Sequence, residues 1–193
     1  MSIKKNIVRN TRSQIIKTAR KLFSQYTYLG ASMDDIAKKL RITKAALYHY
    51  FSGKEEIYNE VLNDAFDSLK KSLLAAYNEN NSIKRLHKVI INYLDFGLKE
   101  KNLINFFTFK LSLTNLRVKK KIIEIKKQII NLVKPVVEEV MNEKLKEKKV
   151  SAEIVTIMLI SMMNGLILEY STLNKQLNTK KISEQIITVL FRV

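Results

Sequence analysis

The side chains best suited to chemistry in this chain lie in one short stretch, Thr43, Lys44, Ala45, Tyr48 and His49. Their chemistry is hydrogen bonding to an anion or a base edge rather than bond breaking. At about 100° per helical residue, Leu47, Tyr50 and Phe51 fall on one side and form an apolar back. Lys44, Ala45, Tyr48 and His49 fall on the other, a polar front with no acid of its own. Thr43 stands at the N-cap, where a hydroxyl and free backbone amides suit a phosphate. Lys44 can donate to guanine O6 and N7 or to phosphate. Ala45 has no bulk, so the backbone can come close to bases, with a thymine methyl as neighbour. Tyr48 can donate its hydroxyl to phosphate, and His49 can do so or touch a base edge. Lys54 and Ser32, each at the start of a neighbouring helix, offer phosphate clamps on either side.

Catalytic alternatives find little support. There is no Cys, which removes disulfides, thiolate metal sites and a thiol nucleophile and suits a cytoplasmic protein. His49 and His87 belong to different predicted helices, so no metal site is expected. Asp34 and Asp35 read as acids at a helix N-terminus. No phosphate-cradling Gly loop is present. The expectation is therefore no enzyme, no catalytic residue and no cofactor.

Charge points the same way. The 193 residues carry a formal charge of +17. Residues 1–54 hold twelve Lys/Arg against Asp34 and Asp35, a net of +10. The remaining 139 residues hold 23 against 16, a net of only +7. Basic density concentrated at one end marks that end as the polyanion-binding part. The arm with Lys4, Lys5 and Arg9 could add a minor-groove contact.

The elements that must position these residues are helical. Four Gly and one Pro are few punctuators, which favours long helices over short strands. Ile15, Ile16, Ala19, Leu22, Phe23 and Tyr26 mark a first amphipathic helix, with Thr11 and Gln14 as a capping box at its start. Met33, Ile36, Ala37 and Leu40 give a short second helix capped by Ser32 and Asp35. Arg41-Ile42-Thr43 separate it from the third, and Ser52 with Glu55 opens a long fourth. Further helices are predicted from about Ile83 to Leu98, in a short aromatic segment at Leu103 to Leu111, and from Arg117 to Lys148 with a kink or break at Pro135. Two more run from Ala152 to Leu173, capped by Ser151, and from Lys181 to Arg192. The fold class is all-α, about nine helices. A three-helix head, residues 1–53, precedes a helical effector-binding and dimerisation domain, residues 54–193.

Three short helices with a three-residue turn between the second and third match a helix-turn-helix. The stretch from Arg12 to Val61 closely resembles the N-terminal domain of the TetR/AcrR family of regulators. SMDDIAKKL, TKAALYHYF and SGKEEIY are its most diagnostic pieces. The resemblance implies that Ser32, Thr43, Lys44, Ala45, Tyr48, His49 and Lys54 sit where the family meets its operator. Arg41 stands where the family turn usually has Gly, and must accept that turn's geometry while adding a phosphate contact of its own. Ala45 also replaces a frequent Gly.

A single head reads too little DNA, so a homodimer on a near-palindrome is expected. The helix from Ala152 is apolar on nearly every side, and one face needs a second cover. Ile157, Ser161, Gly165 and Leu168 on it, with Ile182, Ile186, Val189 and Leu190 on the last helix, are the candidate interface. Its 15-residue apolar stretch, Ile154 to Leu168, is short of the roughly 20 residues of a membrane span, so no membrane partner is expected. The resemblance also implies a small-molecule pocket. Tyr93, Phe96, Phe106, Phe107 and Phe109 could line it, with Met162 adapting to the ligand and His87 or Asn164 supplying polarity. Together these features predict a repressor that releases a double-stranded operator when an effector of unknown identity binds. A regulator without ligand control, or a basic protein on a membrane surface or acidic partner, are the alternatives.

Overall fold

The computed structural model describes residues 2–100, 116–145 and 150–191, with side chains from Asn10 onward. The described residues form eight α-helices and no strand: α1 Ser2–Gly30, α2 Met33–Leu40, α3 Lys44–Tyr50, α4 Lys54–Ala75, α5 Ser82–Lys99, α6 Leu116–Lys144, α7 Ala152–Thr172 and α8 Thr179–Phe191. Phe106, Phe107, Phe109 and the side chains of Lys4, Lys5 and Arg9 lie outside the described residues.

The first helix starts earlier than its expected cap. It runs straight through Thr11 and Gln14, because no Gly or Pro in residues 2–14 interrupts it. Ile15, Ala19, Leu22 and Phe23 form its buried stripe. The helical path breaks at Thr27, whose φ of 67° is strained for a β-branched residue. Its hydroxyl accepts the Gly30 N–H at 3.4 Å.

Local rules account well for α2. Ser32 accepts the Asp35 N–H at 3.1 Å, and the Asp35 carboxylate takes the Ser32 N–H at 2.8 Å, a reciprocal capping box. At the other end Arg41 adopts the left-handed conformation, φ 56° and ψ 40°. Arg41 N–H then reaches Lys38 O, and Ile42 N–H reaches Ala37 O, both at 3.1 Å. This double bond pattern closes a helix where Gly usually stands. Arginine meets the turn the sequence demanded of it.

The start of α4 differs from expectation. Gly53 is its N-cap, without a side-chain bond, and Ser52 pairs with Glu56 rather than Glu55. Glu56 accepts the Ser52 N–H at 2.8 Å and its hydroxyl at 2.9 Å. The extended Gly53 backbone lengthens the approach by one residue, so the reaching carboxylate is one position later.

In the body, α4 buries Ile57, Val61, Leu62, Ala65, Phe66, Leu69 and Leu73 against α1, α5 and α6. The expected break at Pro135 does not occur, and α6 is continuous through it. Pro135 and Asn131, whose carbonyl loses its amide partner, are both exposed, so water can serve that carbonyl. Ser151 caps α7 by accepting the Ile154 N–H at 3.3 Å. Of the candidate membrane spans judged by length and composition, α7 is the one found among the described residues. It sends Thr156, Leu159, Met163 and Ile167 into the core. It approaches α5 so closely that a Cβ at Gly97 would clash with Ile167 Cδ1.

Candidate nucleic-acid interface and internal cavity

α3 stands on an apolar base. Leu47 and Phe51 are buried and Tyr50 is half-buried, while Thr43, Lys44, Ala45, Tyr48 and His49 are exposed. The Thr43 hydroxyl accepts the Ala46 N–H at 3.0 Å, which fixes the helix start and leaves the hydroxyl proton free to donate outward. Lys44 is not idle: its ammonium pairs with Asp34 of α2 at 3.0 Å. That pair holds the Lys44 amine above its ordinary pKa, chiefly through the hydrogen bond and then the charge of Asp34. Ser32 and Arg41 are exposed on the same unit. Lys54 is half-buried, donates to Ala31 O at 3.2 Å and lies 4.5 Å over the Tyr28 ring. It therefore braces the loop before α2 and has N–H groups left for an outside acceptor.

Sequence reasoning missed the residue that holds α3 in place. Arg12 of α1 donates to Tyr50 O at 2.8 Å, capping the end of α3, and to Glu56 at 3.1 Å. Its guanidinium also stacks 4.1 Å over the Phe51 ring. A cation less than one turn before Ile15, the first buried residue, was no signal of this, because its partners lie 38 and 44 residues away. A second clamp joins head to body. Arg20 binds Asp64 of α4 at 2.7 Å and Glu100, the buried residue that ends α5, at 3.0 Å. Ser24 donates to the same carboxylate.

The body contains a cavity of about 450 Å³ between α4, α5, α6 and α7. Of the candidate ligand-binding residues, Tyr93, Phe96 and Asn164 are in its lining. Phe66, Leu69, Ile125, Ile129 and Ile160 are too, and reading single helices could not show that these faces converge. Inside, the Tyr93 hydroxyl donates to Asn164 Oδ1 at 2.9 Å. Burial pushes the Tyr93 phenol up, so it stays neutral. Met162 is absent from the lining. His87 is elsewhere: its Nδ1 is 3.1 Å from the Ser183 hydroxyl, at the α5–α8 contact. It was expected at the pocket because it is a polar residue on α5, but its turn of α5 faces α8.

The expected subunit face divides in a similar way. Val189 is 72% exposed and Ile157 39%, with Ile154 and Met158 also outward. Ser161 and Gly165 are exposed, and nothing lies within 4 Å of a Cβ built at Gly165. Leu168, Ile182 and Leu190 are half-buried. Ile186, however, is buried in the protomer's own core with Ile187, so it is not part of an outward face. Ile157, Ser161 and Gly165 also border the cavity.

Comparison with known proteins bears on this geometry. Residues 15–61 match the model of bacterial regulatory proteins of the tetR family. That stretch, from α1 into α4, is thus similar to the tetR-family model. The biofilm operon icaADBC HTH-type negative transcriptional regulator IcaR of Staphylococcus epidermidis is 35% identical over 83 residues, 43% of this chain and 45% of that protein. The chain thus spans about half the length of the curated relatives it matches. The fold of the head and body together is shared with solved regulators. The regulator FadR from Bacillus subtilis, solved with stearoyl-CoA, superposes with a TM-score of 0.77 at 18% identity, over 93% of this chain and 97% of that one. AibR, solved with isovaleryl coenzyme A and operator DNA, gives 0.74 at 21% identity, over 93% and 97%.

Proposed function

We propose that this chain is a homodimeric DNA-binding repressor, working in the cytoplasm, that releases a near-palindromic operator when a small molecule occupies the body cavity. The observation that carries this reading is the two-sided α3. Leu47 and Phe51 anchor it, and the hydrogen-bonding side chains Lys44, Tyr48 and His49 project into solvent. Such a rod suits a major groove, with Thr43, Ser32, Arg41 and Lys54 gripping phosphates around it and Ala45 close to the bases. The negative regulation named for IcaR supports repression.

Two further features support control by a ligand. The AibR and FadR structures hold acyl-coenzyme A ligands in the same fold. In this chain the cavity also adjoins the head clamp. Arg20 holds Asp64 and Ser68, next to the cavity residues Ala65 and Leu69. Glu100 donates its N–H to Phe96 O at 2.9 Å, and Phe96 lines the cavity. A ligand that prefers one spacing of α4 and α5 must therefore bias the head, with reciprocal effects on operator affinity.

The test is operator binding by fluorescence anisotropy, using DNA selected from a random pool by the purified dimer. Lys44→Ala and Tyr48→Ala should abolish specific binding while the melting temperature and sedimentation are unchanged. Equal, modest weakening on every DNA would overturn the reading in favour of unspecific binding to polyanions.

A further inference from the structure

We propose that the cavity receives a lipophilic anion, an apolar chain bearing a negatively charged head that accepts hydrogen bonds. This inference rests on the effector reading above and names the ligand class for that site. The walls are almost wholly aliphatic and aromatic, with Phe66, Leu69, Phe96, Ile125 and Ile129 among them. A volume of about 450 Å³ falls in the usual range of roughly 300–1,000 Å³ for small-molecule sites.

Two polar groups on the described lining, Asn164 and Lys126, favour an acceptor. Asn164 commits its Oδ1 to Tyr93, which leaves its amide N–H groups to donate. Ser161 adds a hydroxyl that can donate or accept, and Lys126, exposed at the edge, is the charged residue of the lining among the described residues. No Asp or Glu lines the cavity among the described residues. The nearest acid along α6, Glu124, is engaged by Lys121 at 3.2 Å and Gln128 at 3.0 Å. Lys119 lies two turns before Lys126 on the same side of α6 and is also exposed, which adds positive charge to that face of the helix.

These features select by charge. A lipophilic cation would leave water for a site whose described lining holds no carboxylate to receive it and has a lysine at the edge to repel it. An anion can seat its chain among the isoleucines and keep its head beside Lys126, still partly hydrated. Asn164 then donates to a carbonyl or carboxylate oxygen further in. A carboxylate and a phosphate-bearing thioester share this chemistry.

The experiment measures displacement of a fluorescent polyene fatty acid from the intact dimer by four probes: palmitate, palmitoyl-CoA, hexadecanol and hexadecyltrimethylammonium. Palmitate or palmitoyl-CoA should compete at least tenfold better than the ammonium compound, and the stronger of the two identifies free acid or thioester. Lys126→Glu, at an exposed site that leaves the fold intact, should weaken the anions tenfold or more and hexadecanol less than twofold. Equal competition by all four, preference for the ammonium compound, no competition at all, or indifference to Lys126→Glu would overturn the proposal. Charge-selective binding that leaves operator affinity unchanged would uphold the ligand class and refute ligand control of the operator.

Discussion

Asp34 accepts a 3.0 Å hydrogen bond from Lys44, so the foremost cation of α3 is tied to α2 in the free protein. Both side chains are about half exposed. A pair so open to water is weak and must compete with any phosphate or base edge offered to Lys44. Asp34 also brings a negative charge to a surface that would face DNA.

Asp34→Asn should therefore strengthen operator binding roughly two- to fivefold, because it frees Lys44 and removes a repulsion. The salt dependence should steepen as well, since one more protein cation becomes available to displace counterions. Anisotropy titrations at two or three salt concentrations check both effects. Unchanged affinity would mean that Lys44 remains on Asp34 in the complex.

Arg41 holds a left-handed backbone at the end of α2. A side chain there costs about 1 kcal/mol that glycine avoids. Arg41→Gly should raise the stability of the protein by up to about 1 kcal/mol in urea unfolding, less the extra freedom of glycine in the unfolded chain. The same variant should weaken DNA binding if the Arg41 guanidinium reaches a phosphate. Opposite signs for the two measurements would separate a backbone role from a contact role.

Glu56 ties Ser52 and Arg12 together at the α3–α4 junction. The Ser52 N–H, aided by the Ser52 hydroxyl and Arg12, holds its carboxyl below the ordinary value, against a smaller opposing effect of burial. A depressed folded value means that this stabilisation is complete at neutral pH and is lost as pH falls through that value, below 4.5. Glu56→Gln should cost about 1 kcal/mol at pH 7, discounted for a side chain over one-third exposed. Wild type and variant should converge under acid, and unfolding curves at a series of pH values would reveal it. A gap that persists at low pH would contradict this origin.

Glu100 is only 5% exposed and faces Arg20 of the head. Removing one charge from such a pair leaves the other poorly compensated, although Asp64 still holds Arg20. Glu100→Gln should lower stability by about 3 kcal/mol. Replacing both partners, as Arg20→Met with Glu100→Met, should recover part of that loss. If the clamp carries the influence of the cavity to the head, the double variant should fold and bind operator but respond less to ligand. A full ligand response in the folded double variant would show that coupling travels another way.

Several features were legible in the sequence because their causes are local. Ser32 and Asp35 are three residues apart, and helix geometry alone makes them bond. The spacing of Leu47, Tyr50 and Phe51 turns Lys44, Tyr48 and His49 outward whatever lies behind them. Contacts between distant segments had no such signature. Arg12 finds Glu56 44 residues on, and Arg20 finds Glu100 80 residues on. Only the packing of α1 on α4, beside the end of α5 at Glu100, brings those charges together. Likewise, Ile186 and Val189 both look apolar along α8, and rotation of that helix against α5 decides that one is core and the other is surface. The cavity is the extreme case, since four helices must assemble before its walls exist. Periodicity assigns a residue to a face of its own helix, and only packing decides what that face meets.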